Sequence, residues 1–252
     1  MSNYEPNRET YMNAEVISSH TGSKSIAKSF MANVFMWMFA ALALSAAFAY
    51  MFAANTQWLS YLINAEAGKL NMLGWVVMLA PIGFVMLMSF GFARLSAPAI
   101  TGLFLLYAAI NGISFSFILM AYTTSSIIGC FLSAAAMFGI MAVMGYTTDK
   151  DLTGFGRILT MGLIGVLVAM LINMFMKSDA MGYFISIIGV MVFTGLTAYD
   201  VQKLKRIGAG IEFEGTQAAG VRKLAVMGAL SLYLDFINIF LFLLRLFGGR
   251  RD

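Results

Sequence analysis

Charge is what this chain has least of. Asp, Glu, Lys and Arg together make up 11% of its 252 residues, less than half the roughly 25% of an ordinary soluble domain. With 60% of the residues hydrophobic, a water-soluble fold of this length could not hide its apolar surface, because surface shrinks too slowly with size. The shortage of charge therefore points to lipid as the solvent. Cysteine occurs once, as Cys130 in an apolar run, which excludes an intrachain disulfide and a thiolate metal cluster. Histidine also occurs once, as His20 near the N-terminus. That excludes Ser-His-Asp catalysis, HExxH zinc sites and haem held by paired histidines. No resident cofactor is expected. The net charge of +4 is not a nucleic-acid signature, since the basic residues sit in short connectors and not in a stripe interleaved with stacking aromatics.

Long apolar runs are what the chain has instead. About 20 residues of helix cross ~30 Å of hydrocarbon, and runs of that length recur near 29–54, 71–92, 99–122, 126–147, 156–177, 181–205 and 225–247. Their breaks carry interface residues: Trp58 and Tyr61, Arg94 to Pro98, Tyr122 to Ser126, Thr147 to Gly154, and Lys177-Ser178-Asp179. The strands of a membrane β-barrel are shorter and alternate apolar with polar residues, which these runs do not. The expected fold is an all-α integral membrane protein of seven transmembrane helices. It divides into a polar N-terminal tail (1–28), one helical domain (29–247) and a short C-terminal tail (248–252). The N-terminal tail carries Glu5, Glu9 and Glu15 and lacks the apolar core and cleavage site of a signal peptide.

Orientation follows from Lys and Arg. One side collects Arg8, Lys24, Lys28, Arg94, Lys150, Arg157, Lys203, Lys205, Arg206, Arg222 and Lys223. The other holds Lys69, Lys177, Arg245, Arg250 and Arg251. This asymmetry places the N-terminus in the cytoplasm and, with seven spans, the C-terminus outside. A short re-entrant last helix would return that end to the inside.

Intramembrane carboxylates are functional hypotheses by default, because charge in hydrocarbon is costly. Asp235 lies about ten residues into the last span, ~15 Å from its cytoplasmic end. Gly228, Ser231, Asp235 and Asn238 share one helical face, small or polar throughout, and that face must look into the bundle. Asp200 lies about six residues before Arg206, ~9 Å deep in the antiparallel sixth span. The two acids fall at similar depth, and if adjacent they cannot both ionise cheaply and would titrate as a unit. An ionised pair invites a cation, and calcium suits hard oxygen ligands, although two carboxylates make only a weak site. The plainer alternative has Asp200 reaching the interface to pair with Lys203 or Arg206. Arg94 ends the second span on the same side and could latch Asp200, or act only as a positive-inside residue. Arg245, two turns beyond Asn238, is either an outer pairing residue or an interface anchor. Asn111 reads as a helix-contact amide, with a pore-lining role as the sharper option. The small residues at 133–136, 162, 165, 195, 198, 228 and 229 read as close helix packing.

Three segments resemble the Bax-inhibitor family, also called the transmembrane Bax inhibitor motif family: Thr148-Asp149-Lys150-Asp151-Leu152-Thr153-Gly154-Phe155-Gly156, Thr194 through Gln202, and Ala229 through Phe240. The shorter Asn111-Gly112-Ile113-Ser114-Phe115-Ser116 is similar as well, and the likeness runs from about 29 to 247. The resemblance implies a bacterial-type member with the last helix central among the other six, and a pH-sensitive calcium leak whose proton sensor is Asp200 with Asp235. It also implies pairing roles for Arg94 and Arg245, and the calcium ions and protons that pass would be the partners, besides membrane lipid. Two positions depart from the family pattern: Asp149 stands where a basic residue is common, and Asn111 where some bacterial members are acidic.

Two other functions compete. One, implied by the resemblance to bacterial family members that modulate a membrane-bound protease, is a regulatory protein without transport that docks such a partner through the N-terminal tail and the 203–222 connector. The other is an intramembrane aspartyl protease, in which paired carboxylates share a proton and activate water. Against it, Ser231-Leu232-Tyr233-Leu234 precedes Asp235 where such proteases carry Gly-x-Gly, so no enzyme activity is expected. The short connectors suit a bacterial inner membrane.

Overall fold

The computed structural model describes residues 8–64, 69–213 and 218–251, with side chains from residue 27 onward except at 56, 64, 69, 212 and 213. The tail-docking reading and Glu214 fall outside the described residues, and the side chains of His20 and Glu212 do too. The chain runs as α1 (Arg8–Ala54), α2 (Thr56–Ser60), β1 (Ile63–Asn64), β2 (Lys69–Leu70), α3 (Met72–Gly91), α4 (Ala97–Ala121), α5 (Thr124–Thr147), α6 (Thr153–Met176), α7 (Asp179–Phe213) and α8 (Ala218–Phe247). Among the described residues, seven helices are long and apolar enough to cross a bilayer: the Ala27–Ala54 part of α1, then α3, α4, α5, α6, Asp179–Ile211 of α7, and α8. The protein is an all-α integral membrane protein.

Local chemistry sets the helix ends. Asn71 caps α3 by accepting from the Gly74 N–H at 2.9 Å, and Ser96 caps α4 with Pro98 in the first turn, where a missing N–H costs nothing. Lys177 adopts a left-handed conformation, φ 50°, which lets α6 stop and α7 begin within two residues. The helices α7 and α8 extend beyond the apolar runs at 181–205 and 225–247. The stretch 206–213 stays helical in spite of Gly208 and Gly210, each of which costs about 1 kcal/mol relative to alanine; it contains no proline to end the helix. The first connector folds into α2 and a two-residue antiparallel ladder, Ile63 opposite Leu70 and Asn64 opposite Lys69.

Packing is uneven. In α8, 72% of the most apolar window is buried, against 11% in each of α3 and α6. The main neighbours of α8 are α1, α4, α5 and α7, while α3 lies on α4 and α6 on α7. Small residues permit the tightest crossings. A side chain at Gly145 would collide with the Ala198 backbone, and one at Gly112 with the backbone of Ser45.

The C-terminus is fastened. Tyr122 and Arg250 form a β-bridge, the Thr123 N–H donates to the Gly249 carbonyl, and the Arg251 N–H donates to the Ala121 carbonyl, both at 3.0 Å. The last helix therefore runs the length of the bundle to the end that holds the α4–α5 connector. The chain ends beside the α4–α5 connector, opposite the basic end that holds the α3–α4, α5–α6 and α7–α8 connectors.

Candidate functional site

Because α3 leans on α4 and α6 leans on α7, a cavity of about 640 Å³ opens between α3 and α6 over the face of α8. Its walls include Pro81, Ile82, Val85 and Met86 of α3 and Leu163 and Leu167 of α6; Asp200, Ser231, Asp235 and Asn238 lie in it together. Pro81 lies inside α3, where a proline removes a backbone hydrogen bond and bends the helix.

Asp235 is 4% exposed, and its Oδ2 has no hydrogen-bond partner. A buried polar atom without a partner is costly, more so in a bilayer, where water cannot substitute. Asp200, half-buried, lines the same cavity. Ser231 and Asn238 complete the polar floor, Asn238 returning its amide to the Leu234 carbonyl at 2.8 Å. Gly228, on the same sequence face, packs against Leu204 and Val34 instead, because the face turns from the cavity toward α7 and α1 one turn earlier.

The expected arginine partners are elsewhere. Arg94 is exposed at the end of α3, and Arg245 lies over Gly182 near the start of α7. Neither forms an ion pair among the described residues, where Arg206 with Asp151 is the pair present. Arg206 thus answers Asp151 at 2.7 Å, not Asp200, and Lys203, one turn after Asp200, is the cation that lines the cavity.

Two polar clusters support this site; sequence reasoning singled out Asn111 as a helix-contact amide but assigned neither cluster. Gln202, 5% exposed on α7, accepts from the Leu152 N–H at 2.9 Å and donates to the Lys150 carbonyl at 2.7 Å. Arg206 adds bonds to Thr153 at 3.0 Å and to Gln202 at 3.0 Å. The α5–α6 connector is thereby clamped to the helix that carries Asp200. The Thr153 hydroxyl first, then the Thr153 N–H and the Arg206 guanidinium, hold the Asp151 carboxyl well below the usual carboxylate range.

The second cluster lies under the cavity. The Tyr233 hydroxyl of α8 bonds Ser45 of α1 at 2.8 Å and accepts from Asn111 of α4 at 3.0 Å. Asn111 also reaches the hydroxyl of Tyr107 at 3.3 Å, and Tyr107 lines the cavity. Asn111 is thus a helix-contact residue within a four-residue hydroxyl–amide network. The available signal was a polar atom in each of three apolar runs; nothing in one dimension says which of them meet.

The comparisons with known proteins agree with this architecture. The family model described as inhibitor of apoptosis-promoting Bax1 matches residues 27–252. The inner membrane protein YbhL of Escherichia coli is 44% identical over 224 residues, 89% of this chain and 93% of that one. An uncharacterized protein of Deinococcus radiodurans is 42% identical over 226 residues, 89% of this chain and 92% of that one. Another from Borreliella burgdorferi is 41% identical over 227 residues, 90% of this chain and 94% of that one. With a family match over residues 27–252 and relatives of this similarity, the chain belongs to the Bax-inhibitor family of membrane proteins.

Proposed function

We propose that this protein is a pH-sensitive calcium leak of a bacterial inner membrane, gated by protonation of Asp200 and Asp235. The observation that carries the reading is the Asp235 carboxylate, buried in the bundle with one oxygen unpartnered and sharing a cavity with Asp200. Two ionised carboxylates in a low-dielectric site attract a divalent cation, and their protonation removes the attraction. Lys203 stands at the cytoplasmic mouth and moderates the field there. Arg94 would pair with Asp200 in a second arrangement, reached when α3, which leans on α4, shifts toward α7. The Tyr107–Asn111–Tyr233–Ser45 network adjoins the cavity through Tyr107 and ties α8 to α1 and α4 beside the acids. The membrane assignment draws on YbhL being an inner membrane protein. The cytoplasmic N-terminus draws on the eleven-to-five division of Lys and Arg across the connectors.

The test is calcium flux into proteoliposomes across a pH series, wild type beside Asp235→Asn. The wild type should conduct with a pH dependence in the carboxylate-to-neutral range, and the variant should lose that dependence. Flux that ignores pH, or an identical profile in the variant, would refute the assignment.

A further inference from the structure

The cavity that holds the carboxylates is larger and more apolar than a small inorganic ion requires. Calcium is held by oxygens at 2.3–2.6 Å in roughly six- to eight-fold coordination, whereas about 640 Å³ lies within the range of sites that enclose a drug-sized molecule. Most of the wall is hydrocarbon, from Ile82, Val85 and Met86 on one side and Leu163 and Leu167 on the other. The gap also faces sideways. Ile82, Met86 and Leu167 are 62%, 53% and 51% exposed on helices with 11% of their apolar windows buried, so its rim meets lipid chains. Tyr107, Phe193 and Tyr199 add aromatic surface, whose ring faces attract cations. At the bottom stands the unpartnered Oδ2 of Asp235. The cation nearest to the acids, Lys203, lies toward the basic end beside Asp200 and has an exposed side chain.

An apolar wall asks for an apolar body, and a partnerless buried carboxylate asks for one positive charge. We infer that the groove between α3 and α6 binds lipophilic organic monocations from the hydrocarbon layer, with the charge on Asp235 and Asp200 and the apolar body between α3 and α6. The inference uses the same two carboxylates as the leak reading but does not depend on calcium conduction. A bound cation of this kind would occupy the site on which the proposed leak relies, and so act as a plug.

Full-length protein in lipid nanodiscs, titrated with tetraphenylphosphonium and separately with tetraphenylborate, tests this. The two probes share shape and apolar surface and differ in the sign of charge. Saturable one-to-one binding is expected for the cation and not for the anion, and Asp235→Asn should weaken it by about tenfold or more, the scale of a charged contact in a dry site. Leu167→Trp keeps both carboxylates and fills the groove, and it should weaken binding to a similar degree; it carries the test alone if Asp235→Asn fails to fold. Equal, unsaturable uptake of cation and anion, or binding that survives the groove-filling substitution, overturns the inference. Calcium flux on the same preparations separates the two readings. Cation binding without flux removes the leak alone, and pH-dependent flux without cation binding removes this inference alone.

Discussion

Replacing Tyr233 by Phe deletes one oxygen from the middle of the bundle and leaves the ring where it is. The ring contacts, edge-on to Tyr107 at 5.5 Å and to Phe104 at 6.1 Å between centroids, survive, so the substitution isolates the hydroxyl. Two bonds disappear, to Ser45 and to Asn111. Ser45 is not orphaned, because it also donates to the Ala108 carbonyl at 2.7 Å. Asn111 keeps only the longer contact to Tyr107, at 3.3 Å. Hydrogen bonds between membrane helices average about 0.6 kcal/mol and reach about 1.7, so Tyr233→Phe should cost about 1 kcal/mol, and about 3 at most. Tyr233→Ala would add a cavity penalty, bringing the loss to about 3–5 kcal/mol, and would obscure the point. Equilibrium unfolding in mixed micelles titrated with a denaturing detergent, followed by far-ultraviolet circular dichroism, gives the stabilities. The single and double variants of Tyr233→Phe and Ser45→Ala then yield the coupling between α8 and α1. A coupling near 0.6 kcal/mol is expected. Coupling indistinguishable from zero, with Tyr233→Phe as stable as wild type, would show that the hydroxyl ties no helices together.

The remaining expectations are narrower. Gly145→Val should destabilise by about 1–3 kcal/mol or more, because its side chain meets the Ala198 backbone and two helices must separate. Gly165→Ala, with open space around it, should be neutral or stabilising by up to about 1 kcal/mol; equal thermal shifts in the two variants would contradict the crossing geometry. Lys177→Gly should raise stability by about 1 kcal/mol, since it removes the left-handed penalty of a side-chain-bearing residue at φ 50°, and a lowered melting temperature would count against it. Asp151 has a carboxyl held below its ordinary range in the folded state, so the stability it lends is complete above the unfolded value near ~4 and drains as pH falls further. Melting temperatures measured down from neutral should show an acid slope that Asp151→Asn lacks, and parallel slopes would refute the clamp.

Much of the architecture was readable in one dimension because a bilayer imposes a length. The apolar runs at 71–92 and 126–147 became α3 and α5 to within a few residues, since ~30 Å of hydrocarbon leaves little choice. Boundaries failed where hydropathy and helicity part company: α7 continues through Lys205 and Arg206 to Phe213, because a helix leaves the membrane without having to stop. The inward orientation of Asp235 was also readable, as Ser231 and Asn238 lie beside it at helical spacing and a charge on the lipid face would be far more costly. The arginines were not. Arg94, Arg206 and Arg245 have long side chains, and the choice of partner depends on which helix ends come together. Arg206 met Asp151, 55 residues away in sequence.

The sequence alone was enough to determine that this chain dissolves in lipid, how many times it crosses, and that Asp235 sits deep in its span. Each of these follows from the cost of moving a side chain or a peptide group out of water, a property of residues taken in order. Only the tertiary structure decided that α3 and α6 stand apart over α8, that Asp200 and Asp235 share one space, and that Tyr233 joins α1 to α4. Those outcomes depend on how pairs of helices pack, through small-residue crossings such as Gly145 on Ala198, and the energies involved belong to contacts between positions that no local pattern links.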